Sequence, residues 1–179
     1  HVLNTVTGLI TSQYYVSIDY GTQNATVFLL WCKNNRGQWV CIKEYYYSGR
    51  DEDSQKTDSE YADDLKEFLG DIKPKKIIID PSAASFIAEL KKRGYQIKKA
   101  KNDVLDGVRF VATLLNQEKI AFSSECVNTI LEFNSYIWDA KASEKGEDKP
   151  IKQHDHAMDA VRYFCYTILF KGEGITFLK

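Results

Sequence analysis

No stretch of this sequence approaches the eighteen or so consecutive apolar residues that a bilayer-spanning helix requires. The N-terminal stretch has no basic region followed by an apolar core, so no secretory leader is expected in it. The four cysteines, Cys32, Cys41, Cys126 and Cys165, show neither the paired spacing of a zinc site nor the close framework of a disulfide scaffold. They are expected to be buried free thiols in a reducing compartment. There is no internal repeat, no low-complexity segment and no Gly-x-x-x-x-Gly-Lys-Ser/Thr phosphate loop. Positive charge is not in surplus either: 24 Lys and Arg face 25 Asp and Glu, a formal net charge of −1. Non-specific DNA binding is dominated by phosphate neutralisation, so a chain this balanced is expected to hold DNA weakly by itself. The chain begins at His1 and not at Met, which suggests a piece of a longer protein or an expression remnant.

What is present is enough for one folded domain. The 179 residues are 44% hydrophobic and 13% aromatic, which supports a real core and argues against disorder. Residues 1–13 read as a polar lead-in, linker or tag remnant, 14–171 as the domain and 172–179 as a tail. Within the domain, Tyr14–Asp19, Ala25–Cys32 and Trp39–Tyr47 have the aromatic and β-branched content of strands, with Asn34-Asn35-Arg36-Gly37 as turn chemistry between the last two. A helix through Tyr61, Leu65, Phe68 and Leu69 follows, with Ser54 or Asp58 as candidate N-caps and Gly70 as its stop. Ile77-Ile78-Ile79 is the apolar run of a strand covered on both faces. Then come a helix begun by Ser82, a short strand at Tyr95–Ile97, and a helix begun by Asp103. A short extended segment spans Lys119–Phe122, before a helix capped by Ser123 or Ser124. Residues 139–153 are charged and loop-like, a hairpin or flap, and a final helix runs from about His154 to Phe170. The expected class is α/β: a mixed five-stranded sheet, three antiparallel strands then parallel ones, flanked by helices.

Two strands end in an acid. Asp19 closes the first strand before Tyr20-Gly21-Thr22, and Asp80 closes Ile77-Ile78-Ile79 before Pro81. An Asx turn explains either residue alone. For Asp80 an N-cap role is weakened because Ser82 can take it, and open α/β sheets place ligands beyond the carboxyl ends of their strands. In the last helix, Ala157, Ala160, Val161, Phe164 and Ile168 form the core stripe. His156, Asp159 and Tyr163 share another face, three and four residues apart, as converging ligands or a solvated polar face. Asp155 reads as a helix-start or surface residue. Hard Mg²⁺ or Mn²⁺ ions prefer carboxylate oxygens, and two such ions about 3.5–4 Å apart suit phosphodiester hydrolysis. Asp19 is the candidate bridging ligand, and Asp80 and Asp159 would each complete one metal site. His156 would bind metal as neutral imidazole or transfer a proton. For DNA, the stretch Lys91, Lys92, Arg93, Lys98, Lys99 and Lys101 contains no acid; it is a solvated face or a phosphate-contact patch.

Asp19-Tyr20-Gly21-Thr22, Ile79-Asp80-Pro81-Ser82-Ala83, Asp106-Gly107-Val108-Arg109 and Asp155-His156-Ala157-Met158-Asp159-Ala160-Val161-Arg162-Tyr163 together resemble the nuclease domain of the large terminase subunit of tailed bacteriophages, over roughly residues 14–170. The order of elements matches the ribonuclease H-like fold of that family. The resemblance implies a metal-dependent endonuclease that cuts concatemeric double-stranded viral DNA during packaging, in the host cell cytoplasm. It also implies an N-terminal ATPase domain in the same polypeptide, and a small terminase subunit and portal protein as partners. Segment 139–153 would be a hairpin limiting access of duplex DNA, with Lys141, Lys149 or Lys152 on phosphate, and Asp106 and Arg109 would support the site or simply start the helix and face solvent. Some members carry a carboxylate where others place the His, which leaves the role of His156 open. Three rivals remain from the residues: an actin-like or sugar-kinase-like ATPase, whose opening Asp-x-Gly-Thr turn is similar; another ribonuclease H-like enzyme such as a resolvase or integrase; and a non-catalytic DNA-binding module, in which an acidic cluster would repel DNA.

Overall fold

The computed structural model describes residues 1–21, 24–49, 54–135 and 155–170, with the side chains of residues 10–12 excepted. The acids at 51–53, the segment 139–153 with Lys141, Lys149 and Lys152, and the tail 172–179 therefore lie outside the described residues. Strands β1 (Val2–Leu3), β2 (Leu9–Asp19), β3 (Ala25–Asn34) and β4 (Trp39–Ser48) are followed by α1 (Asp58–Leu69), β5 (Lys76–Ile79), α2 (Ala84–Lys92), β6 (Ile97–Lys99), α3 (Val104–Asn116), β7 (Ile120–Ser123), α4 (Val127–Ser135) and α5 (His156–Phe164). A π-helical turn, Cys165–Leu169, continues α5. No helix among the described residues is long and apolar enough to cross a membrane.

The strands make one sheet in the order β1-β7-β4-β3-β2-β5-β6. β2, β3 and β4 form the expected antiparallel meander, and β5 and β6 extend it in parallel beside β2. The sheet has seven strands and not five. Lys119–Phe122 forms β7, parallel to β4, and Val2–Leu3 adds β1 parallel to β7. Residues 1–13 are thus more than a lead-in: Leu9 and Ile10 pair with Asn34 and Lys33, across an irregularity that ends at Tyr14. Backbone pairing at a sheet edge or strand end requires no hydrophobic alternation, so these extensions leave little trace in sequence.

Strand periodicity divides the interior into two layers. Val16, Ile18, Phe28, Leu30, Ile77 and Ile79 pack against α1 and α2. Tyr15, Val27, Leu29, Trp31, Ile78 and Phe122 face α3 and α5. Ile77, Ile78 and Ile79 are all fully buried, as a strand with helices on both faces requires. The indole of Trp31 stacks on Phe164 with centroids 4.4 Å apart and donates Nε1–H to Ser17 Oγ at 3.0 Å, which seats α5 over the middle of the sheet. All four cysteines are buried free thiols.

Three helix starts differ from expectation. The cap of α1 is Thr57, in a reciprocal box with Glu60, where Ser54 or Asp58 was expected. Ala83 occupies the N-cap of α2 with no side-chain bond, so Ser82 does not cap it; instead Ser82 N–H donates to Asp80 Oδ1 at 2.7 Å. The start of α4 is not capped by Ser123 or Ser124. The carboxylate of Glu44 on β4 accepts the N–H groups of Asn128 (2.7 Å) and Thr129 (2.9 Å) there.

Candidate active site

Parallel pairing of β2 with β5 brings the two strand-end acids together. Ile18 and Ile79 are register partners, so the next residues along the two strands are Asp19 and Asp80. Neighbouring strands lie about 4.8 Å apart, and alternation sets the side chains' direction. Ile18 and Ile79 point into the α1–α2 layer, so Asp19 and Asp80 point to the other face, beneath α5.

From α5, two side chains reach down to these carboxylates. His156 Nδ1 is 3.0 Å from Asp19 Oδ2, and Tyr163 OH donates to Asp80 Oδ2 at 3.3 Å. Asp159 lies between them on the helix and accepts from Arg162 through Nη2 (2.7 Å) and Nε (3.2 Å), both on Oδ1. Asp80 has two further donors, the Ser82 N–H on Oδ1 and Asn102 Nδ2 on Oδ2 at 2.8 Å. Asn102 itself is anchored by its neighbour, because Lys101 N–H donates to Thr167 Oγ1 at 3.0 Å in the π-helical turn.

The electrostatics put the three carboxylates in one environment. Burial pushes the Asp19 carboxyl up to about 6; the His156 hydrogen bond opposes this, and the charges of Asp159 and Asp155 add to it. His156 is raised, first by its bond to Asp19, with burial acting against it. The Tyr163 phenol is raised by burial and then by Asp19, Asp159 and Asp80 together. Tyr163 thus lies within electrostatic reach of all three carboxylates. Asp155, expected at the surface or helix start, is the N-cap of α5 and its charge reaches both Asp19 and His156.

Among the described residues no three His, Cys, Asp or Glu side chains are already closed into a cage around one point. Each acid is held by its own donor: Asp19 by His156, Asp80 by Ser82, Asn102 and Tyr163, and Asp159 by Arg162. The donor set is nonetheless oxygen-rich, anionic and partly buried, the chemistry that suits a hard divalent cation. A cation there would also offset the burial, and the lesser repulsion from Asp159 and Asp155, that lift Asp19.

The basic stretch does not act as one patch. A parallel β5–α2–β6 crossover requires α2 to run back from the acidic end of the sheet, so Lys91 and Lys92 lie at the opposite end. Arg93 is engaged by Glu89 at 2.7 Å, by Asp63 and by Ser59, and is a structural residue. Lys98 and Lys99, on edge strand β6, are exposed and run toward the site. Asp106 is in the first turn of α3, and Gly107 lies against Arg162.

The residues that sequence reasoning left without a role are Asn102, Arg162, Tyr46, Glu44 and Glu132. For Asn102 a signal existed, since it follows the end of a strand parallel to β5. For Arg162 the signal was its i,i+3 spacing from Asp159 on one helix, whereas the other three act through contacts between elements distant in sequence and carry no local mark.

A family model described as the terminase RNase H-like domain matches residues 19–166. The large terminase subunit of Escherichia phage T5 is 29% identical over 128 residues, which cover 69% of this chain and 29% of that protein. The large terminase of a thermophilic bacteriophage, solved in complex with ADP, is 56% identical with a TM-score of 0.91, over 96% of this chain and 43% of that one. The nuclease domain of the bacteriophage SPP1 large terminase, solved with bound Mn, shares the fold at 20% identity and a TM-score of 0.65, covering 90% of this chain and 89% of that one. The chain thus spans less than half the length of the T5 subunit and of the ADP-bound thermophilic phage subunit. The matched span opens at Asp19 and closes just beyond the helix that carries His156 and Asp159, and the chain belongs to the terminase RNase H-like domain family.

Proposed function

We propose that this chain is the nuclease domain of a phage large terminase subunit, hydrolysing phosphodiesters of double-stranded DNA with two divalent cations, Mn²⁺ or Mg²⁺. The observation that carries the reading is the placement of Asp19 and Asp80 side by side on the face beneath α5, with His156 and Tyr163 already bonded to them. Asp19, Asp80 and Asp159 would hold the cations, with Asp19 as the shared ligand. Bound cations supply an activated water and charge stabilisation for the departing 3′ oxygen. Around them, Asn102, Tyr163 and the Ser82 N–H fix the rotamer of Asp80, and Arg162 fixes Asp159. His156 donates from Nδ1 to Asp19, leaving Nε2 as the nitrogen for a metal-proximal role. The Mn reported for the SPP1 nuclease domain supports the choice of cation.

By the same reading, the substrate is concatemeric viral DNA in the host cell cytoplasm. An ATPase domain in the same polypeptide, a small terminase subunit and a portal protein would bring the chain to it. The test is plasmid cleavage: Mn²⁺ should support nicking and linearisation, EDTA should abolish both, and Asp19→Asn or Asp80→Asn should remove cleavage while the fold is retained. Full activity in either variant would falsify the assignment. Nucleotide turnover by this chain would favour the ATPase reading instead.

A further inference from the structure

Gly107 stands inside α3, where glycine costs about 1 kcal/mol relative to alanine, and its φ is not positive. Backbone freedom is therefore not what it provides. A Cβ at this position would stand 2.6 Å from Arg162 Cγ and 2.7 Å from Arg162 Cδ. Those atoms are the stem of the side chain and not its free end, so the clash has no cheap escape. Gly107 is the space through which Arg162 crosses from α5.

Arg162 is correspondingly confined. Its side chain is 4% exposed, its guanidinium lies 4.8 Å from the centre of the Tyr163 ring, and two of its nitrogens converge on Asp159 Oδ1. The second oxygen, Oδ2, accepts no hydrogen bond among the described residues. We propose that Gly107 and Arg162 are positioning residues: the seat in α3 locks Arg162, and Arg162 locks Asp159 with one oxygen committed and the other presented for a divalent cation. The inference rests on Asp159 being a metal ligand. It assigns Gly107 a purpose at a site it does not touch, since partners that orient a ligand matter nearly as much as the ligand.

The test measures Mn²⁺ binding directly, by the electron paramagnetic resonance signal of unbound Mn²⁺, alongside plasmid cleavage at limiting and saturating Mn²⁺. Gly107→Ala should weaken Mn²⁺ binding by roughly tenfold and raise the Mn²⁺ needed for half-maximal cleavage, with cleavage largely restored at saturating Mn²⁺. In an Arg162→Ala background the added methyl meets only Tyr166 Cβ, at an ordinary contact distance of 3.8 Å, so Gly107→Ala should then cost no more. A folded Gly107→Ala protein with unchanged Mn²⁺ affinity, or one whose effect adds in full to that of Arg162→Ala, overturns the proposal. If Gly107→Ala does not fold, Arg162→Lys takes its place: it keeps the charge but loses the planar two-nitrogen hold, and unchanged affinity in it is equally fatal. Asp159→Asn separates the two readings. Loss of binding there with no effect of the positioning variants sinks only the positioning role, whereas unchanged binding in Asp159→Asn removes the ligand on which it rests.

Discussion

Glu132 of α4 accepts the backbone N–H of Ala157 at 2.7 Å and that of Met158 at 3.2 Å, capping a helix whose own N-cap, Asp155, makes no side-chain cap bond. Tyr46 OH donates to its other oxygen at 2.9 Å. The helix that carries His156 and Asp159 is thus started by a residue from another helix, which is itself tied to β4 through Glu44. Glu132→Ala should lower unfolding stability by about 2 kcal/mol at pH 6, because it leaves buried N–H groups without an acceptor. Cleavage should fall as well, and Glu132→Gln, which keeps an acceptor, should retain most of both. Urea titration with plasmid cleavage on the same samples checks this.

Stability in the absence of divalent cations should decline with rising pH. Burial pushes Glu132 up to about 7 from an ordinary 4.5, against the bonds from Tyr46, Met158 and Ala157. Burial also lifts Asp19 from 3.8 to about 6. A carboxyl whose pKa is higher folded than unfolded contributes stability that is complete below the unfolded value and is lost as pH rises through the folded value. For Glu132 the window runs from about pH 4.5 to 7, and the full effect is on the order of 3 kcal/mol. Melting curves from pH 5 to 8 should show a falling Tm, and Glu132→Gln should flatten the slope.

Cleavage should show the opposite trend at its acid limb. Asp19 must lose its proton to bind a cation, so activity should fall as pH drops through about 6. Raising Mn²⁺ should shift this limb to lower pH, because metal and proton compete for the same oxygens. A limb that stays put at every Mn²⁺ concentration would argue against Asp19 as a ligand.

The basic residues should separate into two groups. Lys98→Ala with Lys99→Ala, on the strand that runs toward the site, should weaken DNA binding and reduce the salt slope by about one to two. Lys91→Ala with Lys92→Ala, at the far end of the sheet, should leave both unchanged. Arg93→Ala should reduce stability slightly, through loss of its contacts to Glu89, Asp63 and Ser59, with DNA affinity intact. Fluorescence anisotropy at several salt concentrations distinguishes them.

Asn102→Ala removes one of three donors from Asp80 and Tyr163→Phe another. Each should reduce cleavage by roughly tenfold through weaker metal binding. The double variant should cost less than the product of the two, because both act on Oδ2. The Mn²⁺ dependence of cleavage is the measurement.

The meander, the buried Ile77-Ile78-Ile79 strand and the polar face of the last helix were legible because each depends on a short periodic pattern. Asp19 and Asp80 were legible for the same reason, as acids at the ends of apolar strands. The charge run at 91–101 could not show which of its residues share a face, because the chain turns at Arg93-Gly94 between the end of α2 at Lys92 and β6. The caps of α2 and α4 were misassigned because Ser82, Ser123 and Ser124 are good local candidates. Glu44, which caps α4 in their place, is more than eighty residues away.

By itself the sequence determined the local elements, the two-layer core and the identities of the acids, since all of these follow from nearest-neighbour periodicity and side-chain chemistry. Tertiary structure alone decided that Asp19 and Asp80 are partners in register, that His156 meets Asp19, and that Glu132 and Gly107 govern the helix and the arginine above them. The reason is physical: strand register and helix seating are set by packing across the whole sheet, and no single segment carries the information that fixes its distance to another.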